Sequence, residues 1–148
     1  MMAYLVRYRT DTGQIDGIYH SEVPAMLEAN RIETAGIAYL LTEEVMPLEQ
    51  QEHYEVQREM LVAKTELRLQ AFPETLPADG QTESHVQVSP WRPCTLRVTF
   101  PQRRSPVDVA LTEDERDLVL TADMPTQFAV SLVPMPGYWA HPLTVEVR

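Results

Sequence analysis

The sequence predicts a mainly β protein: a two-sheet sandwich over residues 64–148, preceded by a small β-rich arm of α+β character over residues 1–63. Three observations lead there. From Thr65 onward, apolar residues recur at every second position in short runs, the period of a strand with one buried face. Those runs are separated by Pro, Gly and acidic turn segments. Hydrophobic residues make up 44% of the 148 residues and charged residues 23%, a balance that supports a packed core.

In the arm, Ala3 to Tyr8 reads as a strand, Arg9 to Gln14 as a turn rich in Asp, Thr and Gly, and Ile15 to Tyr19 as the return strand of a hairpin. Gly17 marks a bulge or a close backbone approach. Glu22 to Glu33 reads as a short helix with Ser21 as N-cap, Pro24 near its start and Met26, Leu27 and Ile32 as its apolar stripe. Gly36 stops it. Ala35 to Leu41 carries Ile37, Tyr39 and Leu41 at period two and reads as a strand. Glu43 to Gln51, acidic and with Pro47 inside it, reads as a loop or a frayed turn. His53 to Val62 is ambiguous: its Glu and Gln favour helix, whereas the spacing of Tyr54 and Val56 favours strand. Up to Lys64 there are eleven acidic residues against five basic ones. A hairpin, one helix and one or two strands bury little surface unless they pack on something else.

The sandwich is written as seven short strands. Leu67 and Leu69 define the first, and Pro73, Pro77 and the Asp79-Gly80 turn separate it from Val86 and Val88. Next come Leu96, Val98 and Phe100, then Val107, Val109 and Leu111. Leu118 and Leu120 follow the acidic turn Thr112 to Asp117. Phe128, Val130 and Leu132 precede Leu143, Val145 and Val147. Two such sheets face to face bury every apolar face at once, the pattern of an immunoglobulin-like sandwich. Proline, at 12 residues, gathers at strand ends and in loops, where it protects sheet edges.

The net charge of −10 and the sequence pI of about 4.8 oppose binding to nucleic acid or to an anionic membrane, both of which select clustered Lys and Arg. Cys94 is the one cysteine, so no intramolecular disulfide forms. Its readings are a small packing residue or a reactive or intermolecular thiol. The first residues lack the apolar core of a signal peptide and no stretch approaches a membrane span, which leads to the expectation of a chain made in a reducing cytoplasm or assembled from there into something larger.

The chemistry-bearing residues form no catalytic signature, and no cofactor or metal is expected. His20, His53, His85 and His141 lack helical metal spacing, and no Gly-x-Ser-x-Gly elbow or phosphate-binding Gly loop occurs. Thr112 to Asp117 lacks the ligand alternation and central Gly of an EF-hand and reads as a solvated turn. Two loops are candidate interaction sites. Arg103 and Arg104, in a basic tip bounded by Pro101 and Pro106, suit an acidic partner. Tyr138 and Trp139, with His141 beside them, suit an interface or a sugar face, or else cap the end of the sandwich.

The run Lys64 to Leu69 followed by Leu76-Pro77-Ala78-Asp79-Gly80-Gln81-Thr82 to Val88 resembles the opening of bacterial immunoglobulin-like domains of the invasin and adhesin type, which also occur in tailed-bacteriophage virion proteins. Leu118 to Asp123, Phe128 to Leu132 and Leu143 to Val147 resemble their ending. Tyr4 to Tyr8 with Asp11 to Ile18 is similar to the start of short phage structural proteins. The chain departs from that pattern at the basic tip and at the acidic turn. The resemblance implies a non-enzymatic virion component: a capsid decoration or cement protein docking through its N-terminal region, or a tail- or fibre-associated subunit. Its implied partners are the major capsid protein or tail proteins and further copies of itself, with a host-surface glycan as the alternative ligand of the Tyr138-Trp139 loop.

Overall fold

The structure, a computed structural model, describes residues 2–43 and 48–148. It is mainly β, with several sheets. The chain divides into two compact units: Met1–Thr65 with Pro134–Trp139, and Glu66–Val133 with Ala140–Arg148. The boundary expected near residue 63 therefore misses one feature, the return of residues 134–139 to the N-terminal unit.

The N-terminal unit is built on a three-stranded antiparallel sheet of order β2-β1-β3, with β1 Ala3–Arg9, β2 Ile15–Ser21 and β3 Ile37–Thr42. Both faces of β1 are apolar, so both must be covered. Ala3 and Leu5 pack with Leu27 of helix α1 (Pro24–Glu28) and with Tyr19 and Tyr39. Val6 and Ile15 pack with Val56, and Tyr8, Ile18, Leu40, Tyr54 and Leu61 surround them. Val56 belongs to a hairpin of β4 Tyr54–Gln57 and β5 Met60–Ala63, which a 3-10 turn, Leu48–His53, precedes. The unit is thus a helix, a sheet and a hairpin in three layers.

Several details of the arm differ from expectation. The helix is five residues long, and its N-cap is Val23 without a side-chain cap. The Ser21 hydroxyl instead accepts a bond from the Val23 amide (3.0 Å), a local turn that competes with capping. Met26 (65% exposed) and Ile32 (66%) leave the expected apolar stripe, and only Leu27 is buried. The ambiguous segment is a hairpin because Arg58 and Glu59 both adopt positive φ, 52° and 59°. That is type I′ turn geometry without the Asn-Gly that advertises it. The acidic loop expected over 43–51 lies partly outside the described residues, at 44–47. Of the two readings at Gly17, a bulge lies beside it: Arg7 pairs with Gly17 and Tyr8 with Ile15, leaving Asp16 as the extra residue. Gly13 (φ +79°) is required, since a Cβ there would collide with the Val56 carbonyl.

The C-terminal unit contains all seven expected strands, and it is sandwich-like. One sheet has the order β10-β9-β12-β14-β7, and in the other β8 lies between β11 and β6. Their spans are β6 Thr65–Phe72, β7 Thr75–Leu76, β8 Ser84–Ser89, β9 Cys94–Phe100, β10 Arg103–Leu111, β11 Leu118–Leu120, β12 Thr126–Leu132 and β14 Leu143–Val147; β13 Tyr138–Ala140 begins in residues of the N-terminal unit. Alternation places Leu67, Val86 and Leu118 inward from one sheet and Leu96, Val130 and Val145 from the other, each at most 5% exposed. The expected strand-turn-strand over Thr65 to Val88 is more complex. β6 pairs with β8 antiparallel, while β7 between them crosses to the other sheet and lies parallel to β14.

Candidate functional site

The basic tip is tighter than expected. Only Pro101 and Gln102 form the turn, and Arg103 and Arg104 open β10. β10 is an edge strand, and its register against β9 slips between Arg103 and Val107, so Pro106 falls within an irregularity where its missing amide is tolerated. Both arginines are exposed, and neither makes a salt bridge among the described residues. Farther along, Arg97 donates two bonds to Asp108 directly across the strands (2.9 and 3.1 Å). That pairing pulls the exposed Asp108 carboxyl below its ordinary pKa and raises that of Arg97.

Residues 134–139 belong to the N-terminal unit, where the Trp139 ring stacks on His53 with centroids 3.4 Å apart and planes 16° from parallel. One face of the indole is therefore already covered. The loop is fastened by backbone as well. The Gly137 amide donates to the Glu55 carboxylate (3.0 Å), and the Gly137 carbonyl accepts from the Thr65 amide (2.8 Å). Glu55 is only 6% exposed, so this bond supplies a buried carboxylate with a donor. Lys64 is half-buried in the same unit. Burial lowers its pKa, against the opposing pull of Glu55 and Glu52. Glu55 and His53 were missed in the sequence because the segment was ambiguous; the alternation of Tyr54 and Val56 was the signal that places Glu55 between them. His141 lies in the other unit, 3.8 Å from the Glu66 carboxylate. The expected trio Tyr138, Trp139 and His141 is thus divided between two units.

The remaining polar clusters are occupied with structure. Asp79 accepts from the amides of Gln81 (2.9 Å) and Thr82 (2.7 Å) and from the Thr82 hydroxyl (2.6 Å). These bonds, led by the hydroxyl, hold its pKa at about 2. Gly80 follows at φ +66°, and its amide donates to the Ala122 carbonyl (2.9 Å). In the acidic turn, Thr112 and Glu115 exchange backbone bonds of 3.1 Å, and Arg116 pairs with Glu113 and lies over the Trp91 ring. Asp117 contacts the His85 ring and accepts from Gln87, both at 3.1 Å. Cys94 is half-buried, and burial raises its pKa, which disfavours the reactive thiolate.

What the surface offers beyond these clusters is unevenly divided. In the N-terminal unit Val23, Met26, Ile32, Leu41, Met60 and Val62 are exposed, against Phe72, Val119 and Met124 in the C-terminal one. A groove of about 700 Å³ runs through the N-terminal unit, lined by Ile37 to Leu41, Tyr8, residues Arg31 to Glu33, and Glu59. Comparison with family models, with curated proteins and with solved structures gives no significant match.

Proposed function

We propose that the protein is a non-enzymatic structural component of a bacteriophage particle, a capsid decoration or cement protein that docks through its N-terminal unit and projects an immunoglobulin-like domain. The observation that carries the docking half is the apolar surface of the N-terminal unit. Exposed large hydrophobics concentrated in a small unit mark surface that a partner covers. The strand order supports the immunoglobulin-like half. β8 lies between β6 and β11 in one sheet, and β9, β12 and β14 are neighbours in the other, with β10 added outside β9. Named in chain order, these are strands A, B and E opposite C, F and G, with C′ at the edge. The paired departure strand, β7 beside β14, is consistent with that arrangement. Partners of this reading are capsid or tail proteins; a tail- or fibre-associated subunit has the same architecture.

Quantifying the protein in purified particles tests the proposal. A fixed stoichiometry, abolished by Met26→Asp together with Met60→Asp in a protein that still folds, is the expected result. A folded protein absent from particles overturns it. The glycan-binding alternative is less favoured, since His53 already covers one face of Trp139. It requires Trp139→Ala to abolish glycan or cell binding while particle assembly survives.

A further inference from the structure

β10 is the outermost strand of its sheet. β9 takes one side of it, and among the described residues no backbone bond outside that ladder reaches Arg103 to Leu111. Its two halves differ. Arg103 to Pro106 is irregular, whereas Val107 to Leu111 keeps an unbroken register against β9. Alternate residues of that run turn their N–H and C=O groups away from β9. The run's single charge, Asp108, is committed to Arg97. Val107 and Val109 lie opposite the buried Val98 and Leu96, so they continue the inward row, yet both are only half-buried. Apolar surface therefore stops at this edge without full cover.

Charge is arranged so that one end of β10 complements the other. Arg103 and Arg104 open the strand, exposed and without a salt bridge, while Arg7, Arg9, Arg31, Arg97, Arg116 and Arg148 each have a carboxylate partner. Asp114 and Glu115, in the turn that follows the strand, are likewise exposed and without an ion pair among the described residues. The two ends do not meet within one copy, because the strand between them holds them on the order of 20 Å apart at its ordinary rise per residue. Two copies side by side and antiparallel bring them together twice.

We propose that β10 pairs antiparallel with β10 of a second copy of this chain, joining two five-stranded sheets edge to edge. The inference goes beyond the particle reading, since it uses the C-terminal unit and leaves the apolar surface of the N-terminal unit free to dock elsewhere. A two-fold axis perpendicular to the sheet keeps the inward rows of both copies on one side. Centred on Val109, it uses the whole regular run: Val107 lies opposite Leu111 of the mate, and Asp108 opposite Ala110, so no like charges face each other. Arg103 and Arg104 of each copy then stand at the Asp114-Glu115 turn of the other. An acidic peptide from another protein would answer the arginines and leave Asp114 and Glu115 unanswered; a second copy answers both. The net charge of −10 repels two copies at long range, but salt screens that repulsion beyond about 8 Å, whereas the end contacts are direct.

Sedimentation of the full chain, with hydrogen exchange read at Val107 to Leu111 over a range of concentrations, tests this. The wild type is expected to dimerise, and the outward amides of that run to gain protection as concentration rises. Arg103→Glu with Arg104→Glu, and separately Asp114→Arg with Glu115→Arg, are each expected to weaken dimerisation by at least about tenfold, because each sets like charges at both ends. The first pair makes the chain more acidic and the second less, so overall repulsion predicts opposite results where the pairing predicts the same loss. An equimolar mixture of the two variants is expected to dimerise again, since both ends are then complementary. Met26→Asp with Met60→Asp, which alters only the N-terminal unit, is expected to leave the dimer intact. A wild type that stays monomeric overturns the pairing, even if an added Glu-rich peptide protects β10. So does a dimer that survives either charge exchange, a mixture that fails to recover, or a dimer lost with the methionine pair.

Discussion

The two units solve the same problem, covering strands on both sides, with different means. In the C-terminal unit two sheets bring their inward rows together, so Leu67, Val86, Leu96, Val130 and Val145 are shielded by residues of the same kind. In the N-terminal unit one sheet must be covered by a five-residue helix on one face and a hairpin of two four-residue strands on the other. The covers are too small, and Met26, Ile32, Leu41 and Met60 remain outside. The lesson is that a face its own chain covers and one left for a partner can be told apart by what they leave uncovered.

The largest effect that would break this contrast is in the cores. Leu96→Ala is expected to cost about 2–5 kcal/mol by leaving a cavity in the C-terminal unit. Leu5→Ala removes one of the few side chains on its face of β1 and is expected to expose chiefly the N-terminal amides to hydrogen exchange. Equal loss of protection in both units from either change would show that they are not separately sustained. Next in size, Glu55→Ala is expected to destabilise the N-terminal unit by about 1–3 kcal/mol, since the Gly137 amide loses its carboxylate. Denaturant unfolding measures it, with Glu55→Gln recovering part of the loss.

A gain is expected from Glu59→Gly. A non-glycine residue in left-handed geometry costs roughly 1–2 kcal/mol, and thermal unfolding should show about 1 kcal/mol of it returned. The smallest effect belongs to Asp79. Its folded pKa, about 2, lies below the ordinary 3.8, so its contribution is complete above pH 3.8 and fades as pH falls towards 2. Amide shifts of Gln81 and Thr82 followed over that window should report it, and Asp79→Asn should flatten the response.

Legibility in the sequence followed the same division. In the C-terminal unit alternation alone located all seven main strands, because each has a neighbour that rewards the same period. What it did not reveal was β7 crossing between sheets, since two residues carry no period. In the N-terminal unit α1 was overextended, because Met26 and Ile32 matched a helical stripe that the fold leaves in solvent. The β4–β5 hairpin was hidden by a turn made of Arg and Glu, types that seldom take positive φ. Arg103 and Arg104 were correctly placed on the surface but in a strand rather than a loop. The position of Trp139 against His53 was illegible: nothing local in either segment specifies a contact between residues so distant in sequence.

That distance has a consequence for biosynthesis. The Glu55 carboxylate and its Gly137 donor are 82 residues apart. On a ribosome, Glu55 emerges well before Gly137, and a carboxylate destined for burial lacks its backbone partner until residues 134–139 have been made. Folding of the earlier-made part of this unit is therefore completed by a later-made one. A chain released early, anywhere before residue 134, would carry an unfinished N-terminal unit. Completion of that unit thus reports that translation has passed through the second one.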